Sequence, residues 1–155
     1  MRILNPQQSI CFDKPAGKFP DVAMEWWPVL CQHCVAAPCI KDCPTKAIWQ
    51  REEDGVVVID EDMCVGCQNC GEACPYGAIS FDSELGTADK CNICDHRRKE
   101  HLEPFCVTVC PTNAIHFGDV EDRESKVAQL AAKRTTHLLN EDEGTTPSIF
   151  YVFRD

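Results

Sequence analysis

Hydrophobic and polar positions along this chain alternate in short bursts, with few long periodic stretches. Strand-like runs at Ala47 to Gln50, Ala78 to Phe81 and Ala114 to Phe117 each follow a cysteine-proline pair at the same distance. Between the first two, Asp54-Gly55 followed by Val56 to Ile59 predicts a hairpin turn and its return strand. The clearest helical period lies in GDVEDRESKVAQLAAKR, where Val127, Leu130 and Ala131 share one face, with Asp122 as N-cap and Glu124 in the first turn. After a polar acidic loop from Asn140 to Gly144, TTPSIFYVFRD has the composition of a closing strand whose start is confined by Pro147. The first thirty residues carry Pro6, Pro15, Gly17, Pro20 and Pro28 with little periodicity and predict an irregular arm.

These bursts belong to an internal repeat. One unit is CQHCVAAPCIKDCPTKAI, Cys31 to Ile48; the next is CVGCQNCGEACPYGAI, Cys64 to Ile79; the third is spread out, CNIC and then CVTVCPTNAI, Cys91 to Ile115. All three end in C-P-x-x-A-I. The expected organisation is an arm over 1–30 that serves as a docking segment, a polyferredoxin-like cluster-binding domain over 31–118, and a helix and strand over 119–155 packed on that domain or extending it.

With 155 residues the chain suits one domain or two small pseudo-repeated halves. Thirteen cysteines is a density that a short secreted protein would devote to disulfides. Met1 to Ile10 has one basic residue and no apolar core of a signal peptide, so metal ligation is the expected use. No window approaches eighteen apolar residues, which predicts no membrane span and leaves membrane contact to a partner. The net charge of −10 argues against nucleic-acid binding, which needs a basic face.

Twelve of the thirteen cysteines fall into three groups of four. A 4Fe-4S cluster needs four thiolates around a cube, and the C-x2-C-x2-C spacing of Cys64, Cys67 and Cys70 supplies three from one tight loop, with Gly66 and Gly71 letting backbone amides approach the sulfurs. In the two-cluster bacterial ferredoxin arrangement the fourth cysteine of each run ligates the other cluster. On that pattern cluster A takes Cys31, Cys34, Cys39 and Cys74, and cluster B takes Cys64, Cys67, Cys70 and Cys43. The loop from Cys34 to Cys39 is two residues longer than its counterpart. Zinc ribbons also use C-x-x-C pairs, but without four-cysteine runs closed by C-P. For the third group, Cys91, Cys94, Cys106 and Cys110 close on a cluster C, across the insertion DHRRKEHLEPF. Three alternatives stay open there: a 3Fe-4S cluster, a zinc ion, or Cys11 in place of Cys110.

Other residues carry two readings each. Trp26-Trp27 is either packed beside a cluster or a docking patch. His33, inside the first C-x-x-C, either fills space or donates an N–H to cluster sulfur. His96, His101, His116 and His137 show no ligand spacing. Arg97, Arg98 and Lys99 form either a solvated face or a surface that orients a partner. No G-x-S-x-G, Walker loop or G-x-G-x-x-G is present, so no catalytic residue is assigned and the chain is expected to conduct electrons.

From Cys31 to Phe153 the chain resembles the four-cluster iron–sulfur (beta) subunits of the dimethyl sulfoxide reductase superfamily of molybdopterin oxidoreductases, which includes polysulfide and tetrathionate reductases and formate dehydrogenases. CQHCVAAPCIKDCPTKAIWQREEDGVVVIDEDMCVGCQNCGEACPYGAISF, KCNICDHR and FCVTVCPTNAIHFGD resemble that family's second, third and fourth cysteine motifs, and TPSIFYV its closing strand. The family's first motif, an N-terminal C-x2-C-x2-C run, is missing; Cys11 stands alone there. The resemblance implies an α+β, ferredoxin-like dicluster domain with a cluster-binding insertion, holding three 4Fe-4S clusters. It further implies a non-catalytic subunit passing single electrons between a molybdenum- or tungsten-pterin catalytic subunit and another redox carrier. A free-standing soluble polyferredoxin, a subunit of a tungsten aldehyde-oxidoreductase-type complex, and a subunit whose clusters only brace the fold are the alternatives. The expected location is the cytoplasm, or the periplasm if a partner bearing a twin-arginine signal carries the chain across.

Overall fold

In the computed structural model residues 10–152 are described, the side chains of 10–17 and 23–27 excepted. The elements run β1 (Ile10–Lys18), β2 (Asp21–Val29), α1 (Pro38–Lys41), β3 (Ile48–Gln50), β4 (Val57–Ile59), α2 (Asn69–Ala73), β5 (Ile79–Asp82), β6 (Thr87–Lys90), α3 (Asp95–Arg98), α4 (Phe105–Thr108), α5 (Lys126–Lys133), β7 (Thr136–His137) and β8 (Tyr151–Val152). Four two-stranded antiparallel sheets pair β1 with β2, β3 with β4, β5 with β6 and β7 with β8. The class is mixed helix and strand.

The hairpin around Asp54-Gly55 forms as the turn chemistry predicts. Gly55, at φ +67°, donates its N–H to the Arg51 carbonyl, and Arg51 N–H reaches the Val56 carbonyl, setting Ile48 opposite Ile59. The second repeat copies this with β5 and β6, Ile79 lying opposite Lys90. The third departs from expectation: Ala114 to Phe117 is not a strand. An isolated extended run leaves its amides unpaired, and here Gly118 and the loop to α5 follow where the other two units place a return strand.

The expected irregular arm is likewise corrected. Over residues 10–29 it is a hairpin with a two-residue Phe19-Pro20 connection, in register from Lys18 opposite Asp21 to Ile10 opposite Val29. In a two-stranded ribbon both strands are edges, so prolines at 15 and 28 are tolerated where their missing N–H would face outward. Cys11 pairs by backbone with Pro28; the readings of the Cys11, Trp26 and Trp27 side chains lie outside the described residues, as do residues 1–9 and 153–155.

α5 presents Val127, Leu130 and Ala131 half-buried, as its period predicts. Its N-cap is Ser125 and not Asp122: the Ser125 hydroxyl oxygen accepts the Ala128 N–H at 3.1 Å. Asp122 instead closes the turn before it, accepting the Glu124 N–H on its carboxylate and the Ser125 N–H on its carbonyl. Only Tyr151–Val152 of the closing segment is strand, but the residues before it are firmly placed. Val35 and Ala36 donate N–H bonds to the Thr146 and Thr145 carbonyls at 3.0 Å each, and Ser148 donates to the carbonyls of Gln32 and His33.

The buried core is small. Val29, Ile48, Val57, Tyr76, Ala78 and Ala88 form it together with Cys34, Cys39 and Cys70. A core with cysteines at its centre and little aliphatic bulk depends on what the cysteines bind, because metal-binding energy in small metalloproteins is folding energy.

Candidate metal centres

Each repeat unit builds two left-handed turns, and these aim the backbone at the sulfurs. In the C-x-x-C pairs the third residue has positive φ throughout: His33 at 45°, Gly66 at 65° and Ile93 at 54°. In C-P-x-x-A-I the fourth residue does the same, Lys46 at 56°, Gly77 at 58° and Asn113 at 51°. There the chain closes a turn, with Lys46, Gly77 and Asn113 each donating an N–H to the carbonyl of the cysteine that opens the motif, Cys43, Cys74 and Cys110 respectively. In the first and third units the following alanine and isoleucine amides then point back at that sulfur. Ala114 N–H lies 3.3 Å from Cys110 Sγ, joined by Ile115, and the amides of Ile48 and Ala47 act on Cys43 in the same way.

The threonine after C-P adds a hydroxyl to this cup. Thr45 Oγ1 is 3.7 Å from Cys43 Sγ and Thr112 Oγ1 is 3.6 Å from Cys110 Sγ. Burial pushes the Cys43 thiol up, but the Thr45 hydroxyl and the Ile48 and Ala47 amides outweigh it and hold it below the usual range. At Cys110 the Thr112 hydroxyl, then the Ala114 and Ile115 amides, bring the thiol down to about 7. In the second unit Tyr76 occupies that place. Its hydroxyl turns away to Thr145 Oγ1 at 2.6 Å and to the Leu139 carbonyl at 3.2 Å, tying down the C-terminal segment.

Cys31, Cys34, Cys39 and Cys74 line one cavity, so the fourth cysteine of the second run does lie with the first three of the first run. Burial raises Cys39 to about 12, with Cys31 and Cys74 pushing the same way, and burial, then the neighbours Cys31 and Cys74, also raise Cys34 against a hydrogen bond from Thr145. Cys70 is raised by burial and by the nearby Cys64 and Cys67, which gathers the second trio; the Gly71 amide meets the Cys70 sulfur, but the small size of Gly71 is not what permits it, since a Cβ there would meet only the Ile79 carbonyl oxygen at 3.9 Å. Gly66 does have a reason to be small, since a Cβ there would meet the Gly86 carbonyl oxygen at 2.3 Å. Cys43 follows α1 and, like Cys64, packs against the buried core.

In the third group, burial raises Cys106, and Cys94 and Cys110 add to it; Cys91 is raised by burial and feels both Cys106 and Cys31. Cys106 is thus close enough to Cys94, Cys110 and Cys91 to feel their charge, and Cys91 feels that of Cys31, which lines the first cavity. Ile93 N–H donates to Cys91 Sγ at 3.4 Å and Phe105 N–H to Cys94 Sγ at 3.3 Å. Among the described residues, no three His, Cys, Asp or Glu side chains converge closely enough to hold a single ion. Cysteines spread around a cavity, with amides facing the sulfurs, fit a cluster of iron and sulfide.

His33 lines the first cavity, and Lys90, outside that lining, is buried nearly as deeply. His33 is 3% exposed: its Nδ1 accepts the Val57 N–H at 3.1 Å and its Nε2 has no partner. Burial, then Lys90, hold it down to about 3, in the neutral form. Lys90 is 6% exposed, and its ammonium donates to the carbonyls of Val57 and Cys91, with no carboxylate partner among the described residues. It acts on Cys39 on one side and Cys91 on the other. Sequence reasoning singled out His33 but missed Lys90, which carries no motif, and missed Thr45 and Thr112, though two of the three repeats read C-P-T.

The basic run is neither a solvated face nor a docking surface alone. Arg98 bonds Asp54 at 2.8 Å and Asp95 at 3.2 Å, Arg51 bonds both acids, and Lys99 meets Asp95 at 2.8 Å. Arg97 and Arg98 also lie over the rings of Phe105 and Phe117. The run braces the insertion against the β3–β4 turn.

Residues 22–120 match the family described as the 4Fe-4S dicluster domain. The chain is 39% identical over 148 residues to the protein NrfC of Escherichia coli strain K12, covering 93% of this chain and 65% of NrfC. It is 34% identical to the arsenate respiratory reductase iron–sulfur subunit ArrB of Shewanella sp. strain ANA-3, covering 88% of this chain and 78% of ArrB. It is 42% identical to a tetrathionate reductase subunit of Salmonella typhimurium, covering 83% of this chain and 52% of that relative. The chain thus spans less than two-thirds of the length of NrfC and of the tetrathionate reductase relative. Among the described residues no helix is long and apolar enough to cross a membrane. With its cysteine cups, its shared cavity and these relatives together, the chain belongs to the 4Fe-4S dicluster domain family, whose matched relatives include the iron–sulfur subunit of an arsenate respiratory reductase.

Proposed function

We propose that this chain conducts single electrons through three 4Fe-4S clusters, between a molybdenum- or tungsten-pterin catalytic subunit and a further redox carrier. Cys31, Cys34, Cys39 and Cys74 hold cluster A, Cys64, Cys67, Cys70 and Cys43 hold cluster B, and Cys91, Cys94, Cys106 and Cys110 hold cluster C in the insertion. A bound 4Fe-4S cluster takes up and releases one electron at a time; the protein positions it and sets its potential. The observation that carries the reading is that Cys31 and Cys74 line one cavity, while Cys31 also acts electrostatically on Cys91. Cys74 comes from the run that otherwise holds cluster B, and Cys91 opens the third group. Cluster A is therefore the middle station, with cluster B on one side and cluster C on the other.

The catalytic partner follows from the relatives, whose names include subunits of arsenate and tetrathionate reductases. The subunit works in the cytoplasm, or in the periplasm when its partner carries it there. Purification from native cells tests the partner: co-elution with a pterin-bearing subunit supports the proposal, and a lone monomer on gel filtration overturns it. Replacing Cys91 while the complex stays intact tests the path. Electron flux should collapse; unchanged flux would remove cluster C from it.

A further inference from the structure

Three features of His33 have no purpose in packing alone. It is enclosed, at 3% exposure, and lines the cavity of Cys31, Cys34, Cys39 and Cys74. Because Nδ1 accepts the Val57 N–H, the ring proton resides on Nε2, and that N–H is buried with no partner. Leaving a buried donor unpaired costs about 1–3 kcal/mol. His33 also occupies a left-handed backbone position, φ 45°, where the second repeat has Gly66. A side chain held in that region costs about 1–2 kcal/mol more than glycine, and such strain concentrates where a side chain serves a site.

We propose that His33 is a hydrogen-bond donor to the iron–sulfur cluster held by Cys31, Cys34, Cys39 and Cys74, with Nε2–H bonding a cluster or thiolate sulfur and raising that cluster's reduction potential. The inference rests on the assignment of cluster A above. Reduction adds negative charge to the sulfurs, so a fixed N–H stabilises the reduced form more than the oxidised one. Val57 fixes the ring from the other side, which keeps Nε2 as the donor whatever the redox state. His33 is thus a positioning and tuning residue, not a ligand.

The test uses the cluster-loaded chain with histidine labelled by nitrogen-15, partly reduced and examined by pulsed electron–nuclear double resonance. One cluster signal should show coupling to a single imidazole nitrogen, lost in His33→Gly, a change the left-handed backbone accepts. At a fixed potential the reduced-to-oxidised ratio of that cluster should fall roughly three- to tenfold in His33→Gly, tenfold being about 59 mV for a one-electron couple. His33→Gln, which keeps an N–H donor, should restore most of it. Wild-type signals with no imidazole coupling, or a fully loaded His33→Gly with unchanged midpoints, would overturn the proposal. Failure of the wild-type chain to give 4Fe-4S signals at all would defeat the cluster assignment instead, so the two failures are distinct.

Discussion

The hydroxyl of Thr112 stands 3.6 Å from the sulfur of Cys110, and the same contact joins Thr45 to Cys43 at 3.7 Å. A hydroxyl donor to a thiolate stabilises the more negative, reduced cluster. Thr112→Val and Thr45→Val keep the shape and remove the donor. Each should lower the midpoint of the one cluster its cysteine serves, shifting the reduced-to-oxidised ratio about three- to tenfold, the range of a typical net hydrogen bond. Redox titration followed by electron paramagnetic resonance reads this directly. A shift in every cluster, or in none, would contradict the assignment.

Lys90 sits between Cys39 and Cys91 with its charge unmatched by any carboxylate among the described residues. A buried cation is expensive unless anions lie near it, and on the proposed assignment clusters A and C are those anions. Lys90→Met, close in volume, should lower the midpoints of clusters A and C together and leave cluster B nearly unchanged. In the same titration, a change confined to one cluster would show that Lys90 does not lie between two.

Gly66 and Gly86 both have positive φ, 65° and 70°, but their surroundings differ. A Cβ at Gly66 meets the Gly86 carbonyl oxygen at 2.3 Å, while at Gly86 nothing lies within 4 Å. Gly86→Ala should cost about 1 kcal/mol, from backbone conformation alone. Gly66→Ala should cost about 3 kcal/mol or more, because backbone atoms must also move. Rates of cluster loss on heating compare the two; equal rates would contradict the crowding at Gly66.

Asp95 binds Lys99 and Arg51, and those two bonds, Lys99 foremost, hold its carboxyl down to about 2. Its folded value lies below the ordinary 3.8, so the stability it contributes is present above about pH 4 and is lost as the pH falls through about 2. With solvent screening the contribution is about 1 kcal/mol. At neutral pH Asp95→Asn should speed amide exchange in α3 and the insertion severalfold. The difference from wild type should fade between pH 4 and 2, and a difference that persisted at pH 2 would mean that the carboxylate is not its source.

What the sequence made legible follows from distance along the chain. The cysteine cups are local, each built within six residues by turn chemistry, so the repeat C-P-x-x-A-I exposes them without a structure. The hairpin of β3 and β4 is equally local. The N-terminal hairpin was hidden because its prolines read as breakers, and only an edge ribbon makes them harmless. Ala114 to Phe117 read as strand because its composition matches its two counterparts, yet a strand needs a partner and this unit has none. Lys90 and the bracing of Arg98 on Asp54 join residues distant in sequence, and no periodicity encodes them. The closing segment at Thr145 and Thr146 is similar: it adds two hydrogen bonds to the first cysteine loop from the far end of the chain.

The central claim is three clusters on twelve cysteines. Iron and acid-labile sulfide measured per chain, on anaerobically purified protein, test it most directly. Three clusters give about twelve of each, at four irons and four sulfides per cluster. About eight would remove the cluster at Cys91, Cys94, Cys106 and Cys110, and about sixteen would require ligands beyond the twelve cysteines named here.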